Sequence, residues 1–332
     1  MPTIKDVSKL AGVSVATVSR YLNKNGYVSQ QAADAIAEVI DKLNYKPNNI
    51  ARSLAGMKTA TIALMVPDIL NPFFPEVARA TEDAANAYDY TLILCNTDNN
   101  PEKEQKYIET LIHKQVDGII ISSYTIKPEQ LEHLQKRKIP VILMDNHLSG
   151  SSIVSLMSNN FNGGKLATEH LQNQGCRKIA HICGPIHITS SRERTNGYEV
   201  IAKQLDSFTP SLIAYSDFTV KGGYRAMQEL IQKHPDLDGV FASNDLMAAG
   251  AIKALQKANL SVPTDVKVIG FDGIQMEMMS PEISTVAQPI YEIGKTAVDT
   301  LVKLINGDSI ETYTQTFEVE LQVKQSTSIQ SK

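Results

Sequence analysis

The chain lacks the features that mark several classes of protein. Its 332 residues contain no tryptophan, and the three cysteines form no CxxC pair. The seven histidines show no HExxH or comparable spacing, so we expect no metal site and no cofactor. No apolar run approaches the roughly 18 to 20 residues that cross a bilayer, and the N-terminal MPTIKDV shows no signal-peptide pattern. We therefore expect a cytoplasmic protein without a membrane partner.

Negative charge predominates only slightly, at −4, but the charges are unevenly placed along the chain. Residues 1–60 contain eight Lys and Arg against four Asp and Glu, a net charge of +4, which leaves −8 for the remainder. A basic segment concentrates attraction for nucleic-acid phosphates at one end of the chain. With 332 residues, 42% of them apolar, the basic segment is expected to be a small domain attached to a larger body.

The first 45 residues predict three short helices, the first two of them a helix-turn-helix. Thr3 and Asp6 have the spacing of a capping box, Ser14 can cap the second helix after the glycine turn at 11–13, and Ser29 can cap a third. The apolar residues expected to close a small core between these helices are Val7, Leu10, Val18, Leu22, Ile36, Val39, Ile40 and Leu43. Together with the basic excess, this pattern predicts a DNA-binding domain.

The outward face of the second helix supplies candidate DNA contacts. Arg20 is its one long cation and suits bidentate contact with the O6 and N7 atoms of guanine. Val15 and Ala16 can offer apolar contact to a thymine methyl group. The short hydroxyl residues suited to phosphate contacts near the start of this helix are Ser14, Thr17 and Ser19. Arg20 is therefore the first candidate for sequence reading.

From residue 61 onward, apolar β-rich runs alternate with amphipathic segments of about a dozen residues, which is typical of βαβ units and parallel sheets. Eight or more strands exceed one comfortable sheet, so we predict two doubly wound lobes with the break near residues 159–162. The predicted strands are 62–68, 91–97, 118–122, 141–145, 179–184, 212–217, 239–245 and 266–272.

Polar residues recur where these predicted strands end. Ligands of open α/β sheets bind beyond the carboxyl ends of the strands. The strand-end residues are Asp68, Asn71, Asp145, Asn244, Asp245 and Asp272, and the adjacent rings of Phe73 and Phe74 follow the first strand. Aromatic faces beside carboxylates and amides suit a small polyol, although Asp and Asn also cap the helices that follow strands.

Residues 3–59 carry the segments KDV, AGVS, ATVSR, GYVS, LNY and ARSLAG, and with these they resemble the headpiece and hinge of the LacI/GalR family of bacterial repressors. The body resembles periplasmic sugar-binding proteins of the pentose type. The resemblance implies an all-α helix-turn-helix headpiece and an α/β body of two doubly wound parallel-sheet lobes. The implied domains are a headpiece at 1–46, a hinge helix at 47–60 and a body at 61–332, whose N-lobe spans about 61–160 and 290–316 and whose C-lobe spans about 161–289 and 317–332.

The same resemblance implies roles for individual residues. Hinge helices of two subunits would pair in the minor groove and insert Leu54 at the central base step, with Asn48 in the same DNA-contacting segment. Asn146 departs from the pattern, because pentose binders usually place an arginine there. The implied effector contacts are Asn71, Phe73, Phe74, Asp145, Arg194, Phe218, Asn244, Asp272 and Gln288.

The function implied is that of a homodimeric repressor, not an enzyme, which binds a near-palindromic operator. Its effector would be ribose or a related pentose, as in the ribose operon repressors of Gram-positive bacteria. One alternative is a catabolite-control regulator with the serine-phosphorylated phosphocarrier HPr as corepressor, whose cleft lacks the two phenylalanines. A more distant alternative is a sugar-processing enzyme on the same fold, but residues 162–165 lack the spacing of a phosphate-binding loop.

Overall fold

The computed structural model describes residues 2–23, 25–45, 58–146, 152–276, 279–310 and 313–328. The chain divides into two compact units, residues 1–60 and 61–332. Across the described ranges, no helix has both the length and the apolar character that a bilayer span requires.

The first unit contains three helices, α1 (Ile4–Ala11), α2 (Val15–Asn23) and α3 (Gln30–Leu43). The predicted caps are confirmed. The Thr3 amide donates to Asp6 Oδ2 at 2.7 Å while the Asp6 amide donates back to Thr3 Oγ1 at 3.4 Å. The Thr17 amide donates to Ser14 Oγ at 3.1 Å, and the Ala32 amide donates to Ser29 Oγ at 3.3 Å. Satisfied first-turn amides allow helices this short to persist.

The core of this unit is small and differs in one position from the prediction. Val7, Val18 and Ile36 are fully buried, and Tyr45 packs with them. Leu10 is 57% exposed, so its predicted inward orientation is wrong. The residues of α1 that pack beside Val7 are instead Ile4 and Ala11, three positions before it and four after, which lie on the same helix face.

The second unit contains two six-stranded sheets, each with helices on both faces. The sheet of the first lobe has the order β11-β5-β4-β3-β1-β2 and is parallel throughout. Its strands are β1 (Thr61–Val66), β2 (Thr91–Asn96), β3 (Gly118–Ser122), β4 (Val141–Met144), β5 (Val154–Ser158) and β11 (Thr314–Phe317). Its helices are α4 (Phe73–Ala87), α5 (Pro101–His113), α6 (Pro128–Lys136) and α11 (Ile290–Asn306).

The sheet of the second lobe has the order β12-β10-β9-β8-β6-β7, and only β12 is antiparallel to its neighbour among the described strands. Its strands are β6 (Ile179–Cys183), β7 (Ile213–Tyr215), β8 (Gly239–Ala242), β9 (Lys267–Asp272), β10 (Ser284–Ala287) and β12 (Glu320–Gln322). Its helices are α7 (Asn160–Asn173), α8 (Thr189–Ala202), α9 (Val220–Lys233) and α10 (Asp245–Lys257), with a 3₁₀ turn at Pro210–Leu212.

Burial on both faces explains the apolar strands. In β1, Ile62, Leu64 and Val66 belong to one core cluster while Ala63 and Met65 belong to another. Successive side chains of a strand point to opposite faces, so a strand covered on both sides must be apolar at every position.

Four strands escaped the sequence prediction. They are β5, β10, β11 and β12, which have only three to five residues each. The sequences TQTF and ELQ of the last two are largely polar, because these strands lie at sheet edges and keep exposed side chains. The residues 159–162 that interrupt the strand pattern are the cap and first turn of α7, since Asn159 Oδ1 accepts from the Asn162 amide at 3.1 Å.

The glycines of α7 serve close packing. A Cβ on Gly164 would lie 2.1 Å from the backbone oxygen of Arg194, and one on Gly163 would lie 2.4 Å from the ring of Phe271. From the opposite helix, a Cβ on Gly197 would lie 2.1 Å from the backbone oxygen of Phe161. Helices α7 and α8 therefore touch backbone to backbone at Gly164 and Gly197, while Gly163 makes room for the ring of Phe271 on β9.

Replacing Gly197 with Ala is expected to lower the free energy of unfolding by about 1–3 kcal/mol or more, because the added methyl group must push α7 away from α8. Urea unfolding of the full chain measures this. Asn196→Ala is the control, since Asn196 is the exposed neighbour on the same helix. Equal stability of the two variants would contradict the close contact.

Candidate functional site

A polar cleft lies where the carboxyl ends of the strands of both lobes meet. Its empty volume, including the opening to solvent, is about 290 Å³. All nine residues predicted as effector contacts line it, and two residues that were not predicted complete it. The lining residues are Asn71, Phe73, Phe74, Tyr124, Asp145, Ser190, Arg194, Phe218, Asn244, Asp272 and Gln288.

Arg194, on α8, is the central cation of the cleft and is only 4% exposed. Its Nε donates to Asn160 Oδ1 at 2.8 Å, and its Nη1 donates to the backbone oxygen of Ser243 at 2.5 Å and to Asp272 Oδ1 at 3.4 Å. The guanidinium lies 3.6 Å from the ring centroid of Phe271, a cation–π contact. Its Nη2 has no hydrogen bond to any described residue, so it remains a donor at the cleft.

Asp272, the last residue of β9, is held from two sides. Its Oδ1 accepts from Arg194 Nη1 and from Gln288 Nε2, the latter at 2.8 Å. The Gln288 oxygen in turn accepts from Ser158 Oγ at 2.6 Å. Because Ser158 ends β5 of the first lobe and Gln288 follows β10 of the second, this chain of bonds joins the two lobes beside the cleft.

Aromatic side chains form two walls. The rings of Phe73 and Phe74 meet edge to face, with centroids 5.1 Å apart and planes at 89°. Tyr124 of the first lobe and Phe218 of the second have centroids 6.3 Å apart. Rings from both lobes thus offer apolar faces next to the carboxylates.

The amides that line the cleft also hold the backbone. Asn71 Oδ1 accepts from the Phe73 amide at 3.1 Å at the start of α4. Asn244 caps α10, accepting from the Met247 amide at 2.9 Å, while its Nδ2 donates to the Phe218 backbone oxygen at 3.1 Å. The capping interpretation is therefore correct for Asn244, whereas Asn71 precedes the N-cap Pro72 and bonds to the first amide of α4; each bond fixes the orientation of its amide beside the cleft.

Three lining residues have backbone in the left-handed region, with φ of 54° at Asp145, 63° at Phe218 and 110° at Asp272. Such conformations are costly for residues other than glycine and cluster at binding sites. Burial raises the pKa of Asp145, opposed by the positive charge of Arg194. Burial likewise raises the pKa of Asp272 to about 7, although Arg194 and the hydrogen bond from Gln288 favour the ionised form.

Sequence reasoning missed Tyr124 and Ser190. Tyr124 follows β3, and the sequence prediction singled out no polar residue at the end of that strand. Its loop is held by buried Glu104, which accepts from the hydroxyls of Ser123 and Thr125. The departure at Asn146 also has a structural counterpart: Asn146 does not line the cleft, and its Nδ2 donates to the Ser123 backbone oxygen at 3.2 Å.

The headpiece presents the predicted face of α2. Val15, Ala16 and Arg20 are exposed, whereas Thr17 and Ser19 are half-buried. The hydroxyls of Ser14 and Thr17 lie 2.8 Å apart and bond to each other. The predicted contacts Asn48 and Leu54 lie outside the described residues, so their roles stay predictions.

The aliphatic part of the Arg20 side chain lies against the turn after α2. A Cβ on Gly26 in this turn would be 3.5 Å from Arg20 Cδ. Gly26 has φ of +96°, which a side chain would strain. The turn therefore supports the aliphatic part of Arg20, while the side chain as a whole is exposed.

Comparison with known proteins matches both units. Residues 3–48 match the model of bacterial regulatory proteins of the lacI family, and residues 59–326 match that of periplasmic binding proteins and the sugar-binding domain of the LacI family. The ribose operon repressor of Halalkalibacterium halodurans is 42% identical over 98% of this chain and 97% of its own length. Catabolite control protein A of Priestia megaterium is 34% identical over 98% and 99%.

A solved structure shares the body. The LacI family transcriptional regulator from Enterococcus faecium, determined with bound ribose, is 31% identical with a TM-score of 0.72, covering 80% of this chain and 98% of that one. Two of these proteins are named as an operon repressor and a transcriptional regulator, and both family models describe regulatory or binding proteins, so the enzyme alternative is set aside.

The raised pKa of Asp272 predicts a pH dependence of stability. Between pH of about 4 and about 7 the folded protein keeps a proton that the unfolded chain has lost, so the free energy of unfolding falls as pH rises, by up to about 1.4 kcal/mol per unit. Asp272→Asn removes this titration. The stability of the variant relative to the parent should therefore increase from pH 5 to pH 7 and then level off, as measured by urea unfolding.

The variant must be compared with the parent at each pH, because Asp145 and Asp245 are also buried acids with raised pKa values. Their titration alone makes the free energy of unfolding of the parent fall as pH rises. Asp206→Asn, at an exposed position, serves as the control and should follow the parent at every pH. A constant difference between Asp272→Asn and the parent would refute the assignment.

Proposed function

The chain belongs to the LacI family of bacterial regulatory proteins, and on that premise we propose that it is a homodimeric transcriptional repressor controlled by ribose or a related pentose. One observation carries the proposal: the cleft joins a buried cation, two carboxylates, three amides and aromatic faces from both lobes. A small uncharged polyol needs such a set of partners. The names of the similar proteins, a ribose operon repressor and a regulator solved with ribose, support the choice of sugar.

The polar groups would bind the hydroxyls. Asp145 of the first lobe and Asp272 of the second can each accept a hydrogen bond from a sugar hydroxyl, and Arg194 Nη2 can donate one to a hydroxyl oxygen. The oriented amides of Asn71, Asn244 and Gln288 would complete the set. Charge-assisted bonds of this kind are strong in a site shielded from water.

The aromatic walls would take the C–H faces of the sugar ring. Phe73 and Phe74 stand on the first lobe, and Phe218 stands on the second. Apolar C–H groups stacked on rings add affinity without satisfying any hydroxyl, so the sugar is held by its faces and its edge at once. Asn146, which bonds to the Ser123 loop, would not contact it.

DNA contacts belong to the headpiece and hinge. Arg20 would read a guanine in the major groove of each half-site, with Val15 and Ala16 beside it and the hydroxyls of α2 at phosphates. Leu54 would form the apolar wedge of the paired hinges at the operator centre, with Asn48 in the same segment.

Control would follow from sugar binding between the lobes. A sugar that contacts both lobes favours their closed arrangement, which would alter the dimer and unpair the hinges. Coupling of about 1–3 kcal/mol is sufficient for such a switch. The phosphorylated phosphocarrier HPr remains the alternative effector, supported by the likeness to catabolite control protein A alone.

The testing experiment uses an operator selected from a pool of random duplexes. Ribose should bind the full chain in calorimetry and release it from this operator in a gel-shift assay. At pH 8, where Asp272 is mostly ionised, Asp272→Asn should bind the operator like the parent but lose most of the response to ribose, because the hydroxyl partner is no longer an anion.

Asp206→Asn is the matched control and should respond normally, since Asp206 lies outside the cleft. A parent that ignores every pentose and responds to serine-phosphorylated HPr would replace the proposal with the alternative. A normal ribose response of Asp272→Asn would remove Asp272 from the site.

Arg20→Ala should weaken operator binding by about 1–3 kcal/mol and change binding to random DNA little, because a bidentate base contact carries sequence discrimination. Titration of both duplexes at one salt concentration measures the difference. Lys42→Ala is the control: it removes another exposed positive charge, on α3, and should affect binding to the operator and to random DNA alike. If Arg20→Ala did the same, Arg20 would be a phosphate contact.

A further inference from the structure

A second cavity, which we call the vestibule, adjoins the polar cleft. It encloses about 730 Å³ including its opening to solvent. It shares Asn71, Phe74, Tyr124 and Phe218 with the cleft, so the two cavities are separated by no more than these side chains. The residues that line the vestibule alone are Pro67, Asp68, Leu70, Asn99, Asp217, Thr219, Val220 and Leu246.

Both lobes place exposed apolar side chains in the vestibule. Leu70, after β1, is 85% exposed, and Val220, at the start of α9, is 39% exposed. Leu246 and the shared ring of Phe74 add further apolar surface. A free sugar held in the polar cleft would leave these side chains in water.

The vestibule also contains one unengaged amide. The side chain of Asn99 is exposed and has no hydrogen bond to any described residue. A planar amide can donate and accept at once, which matches the edge of a heterocyclic base. Apolar faces with one amide at the edge are suited to a planar group that has a polar rim.

The charges of the vestibule select against an anionic group. Its described lining includes two carboxylates, Asp68 and Asp217, and neither Lys nor Arg. Arg225, which lies outside this lining, contacts Asp217 Oδ2 at 3.2 Å, and the pair is weak because both side chains are at least half exposed. A phosphate placed here would face two acids.

We propose that the vestibule binds the planar, uncharged aglycone of a ribosyl ligand, so that the protein recognises ribonucleosides as well as ribose. The proposal rests on the proposed function, because it places the ribosyl group in the polar cleft. The base would lie between Leu70 and Val220, with its edge at Asn99. A ligand with a phosphate at the aglycone position, such as ribose 1-phosphate, would be excluded by charge.

Calorimetry of the full chain with ribose, methyl riboside, uridine and ribose 1-phosphate tests this. Uridine should bind at least about tenfold more tightly than methyl riboside, since burial of about 60 Å² of base surface is enough for that factor. Ribose 1-phosphate, whose phosphate would face Asp68 and Asp217, should bind at least about tenfold more weakly than methyl riboside.

Leu70→Asp and Val220→Asp should each abolish the advantage of uridine over methyl riboside while changing ribose affinity less than twofold. Val200→Asp is the matched control, an exposed valine of α8 outside both cavities, and should keep the advantage. Uridine no tighter than methyl riboside, or an advantage that survives in both vestibule variants, would overturn the inference. If ribose binds in those cases, the proposed function stands; if neither ribose nor uridine binds, the proposed function fails.

Discussion

The body depends on a buried guanidinium. Arg194 lies among Asn160, the Ser243 backbone, the Phe271 ring and Asp272, with almost no contact to water. An unpaired charge at such a position would cost several kcal/mol, so the start of α7 and the ends of β8 and β9 must meet around it. The same requirement fixes the geometry of the cleft, because the groups that neutralise Arg194 also line it or hold its lining.

Structural and binding roles coincide in this cleft. An asparagine at a helix start gives its oxygen to a helix amide and keeps donors and a second lone pair for other partners. Asn71 and Asn244 do this at the starts of α4 and α10. Because these bonds lock the amides, their orientation is set before any ligand arrives, which lowers the entropic cost of binding.

The sequence predicts the lining of the cleft better than it predicts the edges of the fold, although Arg194, Phe218 and Gln288 were implied by the family resemblance alone. Strand ends marked by Asp, Asn or adjacent rings could be found, since parallel strands bring their carboxyl ends together. Tyr124 follows β3 without such a mark, and the position of its loop depends on the buried carboxylate of Glu104 on α5, which the sequence does not connect with this loop.

The short strands β11 and β12 carry polar residues, so only their pairing partners define them as strands. Leu10 was misplaced because helical spacing alone does not tell which of two neighbouring stripes meets the core.

A ligand shifts an equilibrium only by its difference in affinity for the two states. A sugar that touched one lobe would bind equally well at any angle between the lobes and would control nothing. Asp145 belongs to the first lobe and Asp272 to the second, and the rings of Tyr124 and Phe218 face each other across the same gap. The Ser158–Gln288 bond already ties the lobes beside Asp272. Under the proposed function, control would therefore reside in contacts paired across the cleft, and substitutions on either side of one pair should weaken the response to sugar more than they weaken binding to DNA.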